Sequence, residues 1–115
     1  NYSNPPTFGA TVVATVLSTP ALRAMWEEEL AGMRERIRTT RGALVAKLRA
    51  AGVTGDLDYI QRQKGMFSYS GLSVAQMQRL RSEFGVYGVD SGRICVAAIN
   101  SRNIEAVAAA LARVM

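Results

Sequence analysis

Histidine is absent from the 115 residues, and cysteine occurs once, as Cys95. Without histidine there is no Ser-His-Asp triad, no imidazole metal site and no histidine general base. One cysteine excludes an internal disulfide and a zinc ribbon; set in the apolar Ile94-Cys95-Val96-Ala97, it reads as a small buried hydrophobe rather than a nucleophile. Lysine is nearly absent too, only Lys47 and Lys64 standing among fourteen basic residues. No apolar run approaches eighteen residues and no basic-then-apolar leader opens the chain, so the expectation is a soluble, cytoplasmic protein with no membrane partner. The glycine spacings fit neither a P-loop nor a dinucleotide fingerprint.

What is present fits one domain with room for a core, 49% of the residues being hydrophobic. A net charge of +5 and a pI near 10.0 would on their own permit a nucleic-acid partner. The distribution argues against one, because twelve arginines are scattered from Arg23 to Arg113 without interleaved aromatics. The densest stretch, Arg34-Glu35-Arg36-Ile37-Arg38 with Arg41, reads as a solvated helical face. Glu27-Glu28-Glu29 points around a helix axis and reads as a solvated turn rather than an acid/base pair.

Along the chain, Asn4-Pro5-Pro6 makes residues 1–6 a stiff extended entry. Phe8 to Leu17, apolar or small and rich in Val and Thr, is assigned by propensity alone to a buried strand. Thr19-Pro20 is a helix start, and Leu22, Trp26, Leu30, Met33, Ile37, Leu44 and Leu48 recur at about helical spacing up to a stop at Gly52. Such a helix measures about 45 Å at 1.5 Å per residue, whereas a compact domain of this size has a radius of gyration of about 13 Å. It should therefore lie across something larger. After Gly52, Leu57–Ile60 and Met66–Tyr69 read as an antiparallel strand pair, Ser73 as the N-cap of a helix over Val74–Glu83, Val86–Val89 and Ile94–Ala98 as further strands, and Asn103–Val114 as a last helix. Short strands and helices without a repeat indicate an α+β layer.

Four blocks carry more specific information. Asn1-Tyr2-Ser3-Asn4-Pro5-Pro6, Gly65-Met66-Phe67-Ser68-Tyr69-Ser70-Gly71-Leu72, Glu83-Phe84-Gly85-Val86-Tyr87 and Ser91-Gly92-Arg93 together resemble the C-terminal third of class I aminotransferases of the aspartate and aromatic type, closer to the aromatic branch. The resemblance implies the small domain of a fold-type I pyridoxal-phosphate enzyme, with residues 1–18 as the tail end of the large domain, 19–52 as a long interdomain helix and 53–115 as the C-terminal small domain. It also implies that Phe8 to Leu17 is a buried helix, with Gly9, Ala10 and Ala14 allowing close packing. Amino-acid and 2-oxo-acid substrates, pyridoxal 5'-phosphate and a homodimer are implied with it.

By the same resemblance Arg93 grips the substrate's α-carboxylate, and guanidinium suits that role because it donates two parallel hydrogen bonds and stays charged. Phe67 lines the substrate pocket. Tyr2, Ser3 and Asn4 approach the neighbouring subunit's site. The lysine that holds the cofactor belongs to a motif that neither Lys47 nor Lys64 matches; both read as solvated surface lysines, and the chain is expected to be a fragment, inactive alone. A second reading, from the hydrophobic content and the overlong helix, is a standalone noncatalytic interaction domain.

Overall fold

The computed structural model describes residues 6–115. Five α-helices, two short strands and one 3-10 turn are described: α1 Thr7–Ser18, α2 Pro20–Ala50, α3 Asp58–Arg62, β1 Phe67–Tyr69, α4 Val74–Phe84, β2 Arg93–Cys95, the 3-10 turn Val96–Ala98 and α5 Ile104–Val114. The chain divides into two compact units, residues 1–35 and 36–115.

In the first unit, Phe8 to Leu17 is helical, as the family resemblance implied and against its β propensity. The threonines accommodate this by turning their hydroxyls onto the preceding turn, Thr11 Oγ1 to Thr7 O at 2.9 Å and Thr15 Oγ1 to Thr11 O at 2.8 Å. The expected burial of this helix is not met within the chain: no residue of α1 is buried, and Phe8 is 80% exposed. A helix apolar on most of its surface is covered only where other protein surrounds it. No single described helix is long and apolar enough to cross a membrane.

The second unit has a core of its own. Leu44, Val45 and Leu48 of α2 meet Leu57, Ile60 and Leu72, Met77 and Leu80 of α4, and Ile104, Ala108, Leu111 and Val114 of α5. α4 starts where the sequence placed it, because Ser73 and Gln76 form a reciprocal capping box, and it ends at Gly85, which takes the left-handed conformation at φ 65°.

Three strand expectations are corrected. Leu57–Ile60 lies in the turn leading into α3 and its first residues; the Asp56 carboxylate accepts the Asp58 backbone N–H at 2.8 Å in an Asx-turn at the head of the helix, and a four-residue segment interrupted by a charge does not by itself separate strand from helix. Val86–Val89 is irregular, its backbone drawn into a turn by Gly92 N–H donating to Val89 O at 2.9 Å. Ile94–Ala98 is strand only to Cys95 and then tightens into the 3-10 turn. β1 accordingly pairs with β2 and not with residues 57–60: Phe67 lies opposite Cys95, Ser68 opposite Ile94 and Tyr69 opposite Arg93, antiparallel.

Candidate functional site

The β1–β2 ribbon sets the geometry around Arg93. Alternation along a strand sends Phe67, Tyr69, Arg93 and Cys95 to one face and Ser68 and Ile94 to the other. Ser68 is buried, whereas Phe67, Tyr69 and Arg93 are exposed. Phe67 and Arg93 are diagonal neighbours across the pair, and the Arg93 guanidinium carbon stands 4.8 Å from the centroid of the Phe67 ring.

The backbone entering Arg93 is held on both sides. Gly92 has φ +82°, and a Cβ there would lie 2.9 Å from the Leu72 carbonyl oxygen. Its own carbonyl accepts two hydrogen bonds from Ser70, from N–H at 2.8 Å and from Oγ at 2.6 Å. Glycine is therefore required immediately before the cation, for conformation and for space.

Beside this pair opens a pocket of about 320 Å³ lined by Phe67, Tyr87, Gly88, Val89, Arg93, Ile94 and Cys95. Cys95 is half-buried and borders that space, a correction to its reading as a buried hydrophobe. Other arginines among the described residues are joined to carboxylates, Arg23 to Glu27, Arg49 to Asp58, Arg62 to Asp56, Arg79 to Glu83 and Arg81 to Asp90. Among the described residues no carboxylate pairs with Arg93. A cation on a fixed backbone, stacked on a ring at an open pocket and with its donors available, can bind an anion bidentately.

The sequence-predicted residues thus separate. Arg93 and Phe67 are brought together. Tyr2, Ser3 and Asn4 lie outside the described residues. Neither lysine fits a cofactor anchor: Lys47 is ion-paired with Glu105, Lys64 is exposed in the loop after α3, and neither lines the pocket.

One participant was misread in the sequence. Arg41, expected on a solvated face, is 3% exposed, and burial pushes its pKa below the ordinary arginine value. Its guanidinium donates to Ile60 O at 2.8 Å, Ser68 Oγ at 3.1 Å, Gly65 O at 2.9 Å and Phe67 O at 2.7 Å. The sequence did contain a signal: the helical stripe steps seven positions from Ile37 to Leu44 before Leu48, and Arg41 fills the missing place. Arg36, from the same run, reaches the Ala97 and Ile99 carbonyls at 3.1 and 3.3 Å.

Residues 1–111 match the family profile of aminotransferase class I and II. The chain belongs to this family. It is 55% identical over its whole length to an aspartate aminotransferase of Pseudomonas aeruginosa, covering 29% of that protein, and 53% identical to the aromatic-amino-acid aminotransferase of Escherichia coli, again covering 29%. The crystal structure of an aromatic-amino-acid aminotransferase from Burkholderia pseudomallei, covalently bound to pyridoxal phosphate, superimposes with a TM-score of 0.95 at 59% identity, over 99% of this chain and 29% of that one. A mitochondrial aspartate aminotransferase of Trypanosoma brucei gives 0.95 at 43% identity, over 99% and 30%. The chain spans less than a third of the length of these class I and II aminotransferases. Over that span its fold is that of a fold-type I aminotransferase, as expected, and the reading as a noncatalytic domain gains no support.

Proposed function

We propose that this chain forms the C-terminal part of an aminotransferase that moves an amino group between an aromatic or dicarboxylic amino acid and a 2-oxo acid such as 2-oxoglutarate. Residues 1–18 belong to the end of the large domain, 19–52 to an interdomain helix and 53–115 to the small domain. The intact protein is a cytoplasmic homodimer, and Tyr2, Ser3 and Asn4 serve the neighbouring subunit's site. Family membership supports the reaction class; the observation that carries the site is Arg93, unpaired among the described residues and stacked on Phe67 at an open pocket.

In this reading Arg93 takes the substrate's α-carboxylate in two parallel N–H···O bonds, which fixes two points of the amino acid and so orients its α-carbon. Phe67 holds the plane of the guanidinium and keeps water from one of its faces, strengthening the ion pair. Pyridoxal phosphate, when bound, supplies the electron sink for the chemistry at that carbon. No residue of this chain fits the lysine that anchors it, so the 115 residues alone are inactive; they contribute binding and orientation.

The test is Arg93→Lys and Arg93→Ala in the intact enzyme. Truncating one partner of a desolvated charge pair costs several kcal/mol, so kcat/KM should fall by about 10²–10³-fold with the cofactor's absorption band unchanged. Transamination at the parent rate by either variant would refute the assignment.

A further inference from the structure

The edge of β1 that faces away from β2 is covered by side chains rather than by a third strand. Ala97 N–H donates to Met66 O at 3.2 Å and Ser70 N–H to Gly92 O at 2.8 Å, so Met66, Ser68 and Ser70 turn their backbone polar groups toward β2. Phe67 and Tyr69 must then turn theirs outward, where a wider sheet would supply a third strand. Side chains occupy that place. Arg41 donates to Phe67 O at 2.7 Å, while the Gln63 amide mimics a peptide unit: its Oε1 accepts from Tyr69 N–H at 2.9 Å and its Nε2 donates to Tyr69 O at 3.0 Å. Ser68 Oγ joins the two, accepting from Arg41 at 3.1 Å and donating to Gln63 Oε1.

The four described acceptors of the Arg41 guanidinium are neutral oxygens, three of them carbonyls spread over residues 60–67. Burying a guanidinium without a carboxylate is costly, and an apolar residue would fill the same stripe on α2 at lower cost. What an apolar residue could not do is gather those oxygens at one point. A two-stranded ribbon is marginally stable by itself, and on its opposite face it carries the Phe67 ring against which Arg93 is stacked. The geometry points to Arg41, assisted by Gln63, as a positioning residue that fixes β1 from its outer edge and thereby sets the Phe67–Arg93 pair for carboxylate binding. This rests on the reading of Arg93 given above.

The experiment uses the intact enzyme and 3-phenylpropionate, an aromatic carboxylate without an amino group. Its Kd, and the KM and kcat for an aromatic amino acid, are measured in the parent, in Arg41→Lys, in Gln63→Met, and in both changes placed in an Arg93→Ala background. Val114→Ala, a core truncation in α5, controls for lost stability. Lysine offers a compact charge with three donors and cannot reproduce the guanidinium fork. Arg41→Lys should weaken 3-phenylpropionate about tenfold and raise KM similarly, with kcat changed less than about threefold; because it acts through Arg93, the effect should vanish in the Arg93→Ala background.

Gln63→Met should move the same quantities by a smaller factor and reads the same coupling if Arg41→Lys does not fold. Val114→Ala should lower stability without moving Kd. An unchanged Kd in folded variants, or an equal loss with and without Arg93, overturns the positioning role alone. A parent enzyme that neither transaminates nor binds the probe overturns the Arg93 reading beneath it.

Discussion

The two sides of the β1–β2 ribbon each engage an arginine, and the two arginines do opposite things. Arg41, on the side of α2, is buried and spends its donors on four neutral oxygens of its own chain. Arg93, on the open side, sits over a ring at a pocket with no carboxylate partner among the described residues. Residue type does not separate a structural cation from a binding one. What separates them is whether internal acceptors have consumed the N–H groups, because a guanidinium already satisfied gains little from a ligand.

That contrast can be broken from either side. Arg41→Met should destabilise the intact enzyme by about 3 kcal/mol, since it strands several carbonyls that had a buried donor, while Arg93→Met should leave the denaturation midpoint nearly unmoved. Equal loss of stability from both would erase the distinction. Gly92→Ala is expected to cost about 1–3 kcal/mol, from a strained positive φ and a crowded Cβ, and to weaken carboxylate binding because Arg93 is the next residue. A variant with parent stability and parent KM would show that the backbone entering Arg93 is not held as described.

The smallest expected effect lies beneath the ribbon. Tyr59 donates its hydroxyl to Ser70 O at 2.7 Å, and burial, followed by the charge of Asp56, holds its pKa above the ordinary tyrosine value. A raised folded-state pKa means that the unfolded chain loses its proton first. The contribution is therefore full below about pH 10, the unfolded value, and is lost as pH rises through the folded one. Tyr59→Phe should cost about 1 kcal/mol at neutral pH and flatten this alkaline decline in chemical-denaturation curves. A decline of the same steepness in the variant would place its origin elsewhere.

Local signals were readable in the sequence and long-range ones were not. Ser73 and the glycine after Phe84 marked both ends of α4, since an N-cap and a left-handed C-cap are made by near neighbours. Arg93 and Phe67 were legible as a motif, yet their 4.8 Å approach depends on a pairing between segments twenty-six positions apart. The strand assigned to Leu57–Ile60 failed because four residues are too few to show a period, and its supposed partner, β1, instead found β2. Propensity also misplaced α1, whose valines and threonines are helical, the Thr11 and Thr15 hydroxyls being bonded back four residues. Arg41 was missed because a charged residue inside an apolar stripe looks like a defect of the pattern until the oxygens that it gathers, between Ile60 and Ser68, are seen.

The central claim is that Arg93 receives the substrate carboxylate, and the most direct test is a crystal structure of the intact enzyme with a bound amino-acid analogue. The expected result is two N–H···O contacts of about 2.7–2.9 Å from the Arg93 guanidinium to one carboxylate, with the Phe67 ring still beneath it. A carboxylate held by another cation, with Arg93 turned to solvent, would contradict the claim.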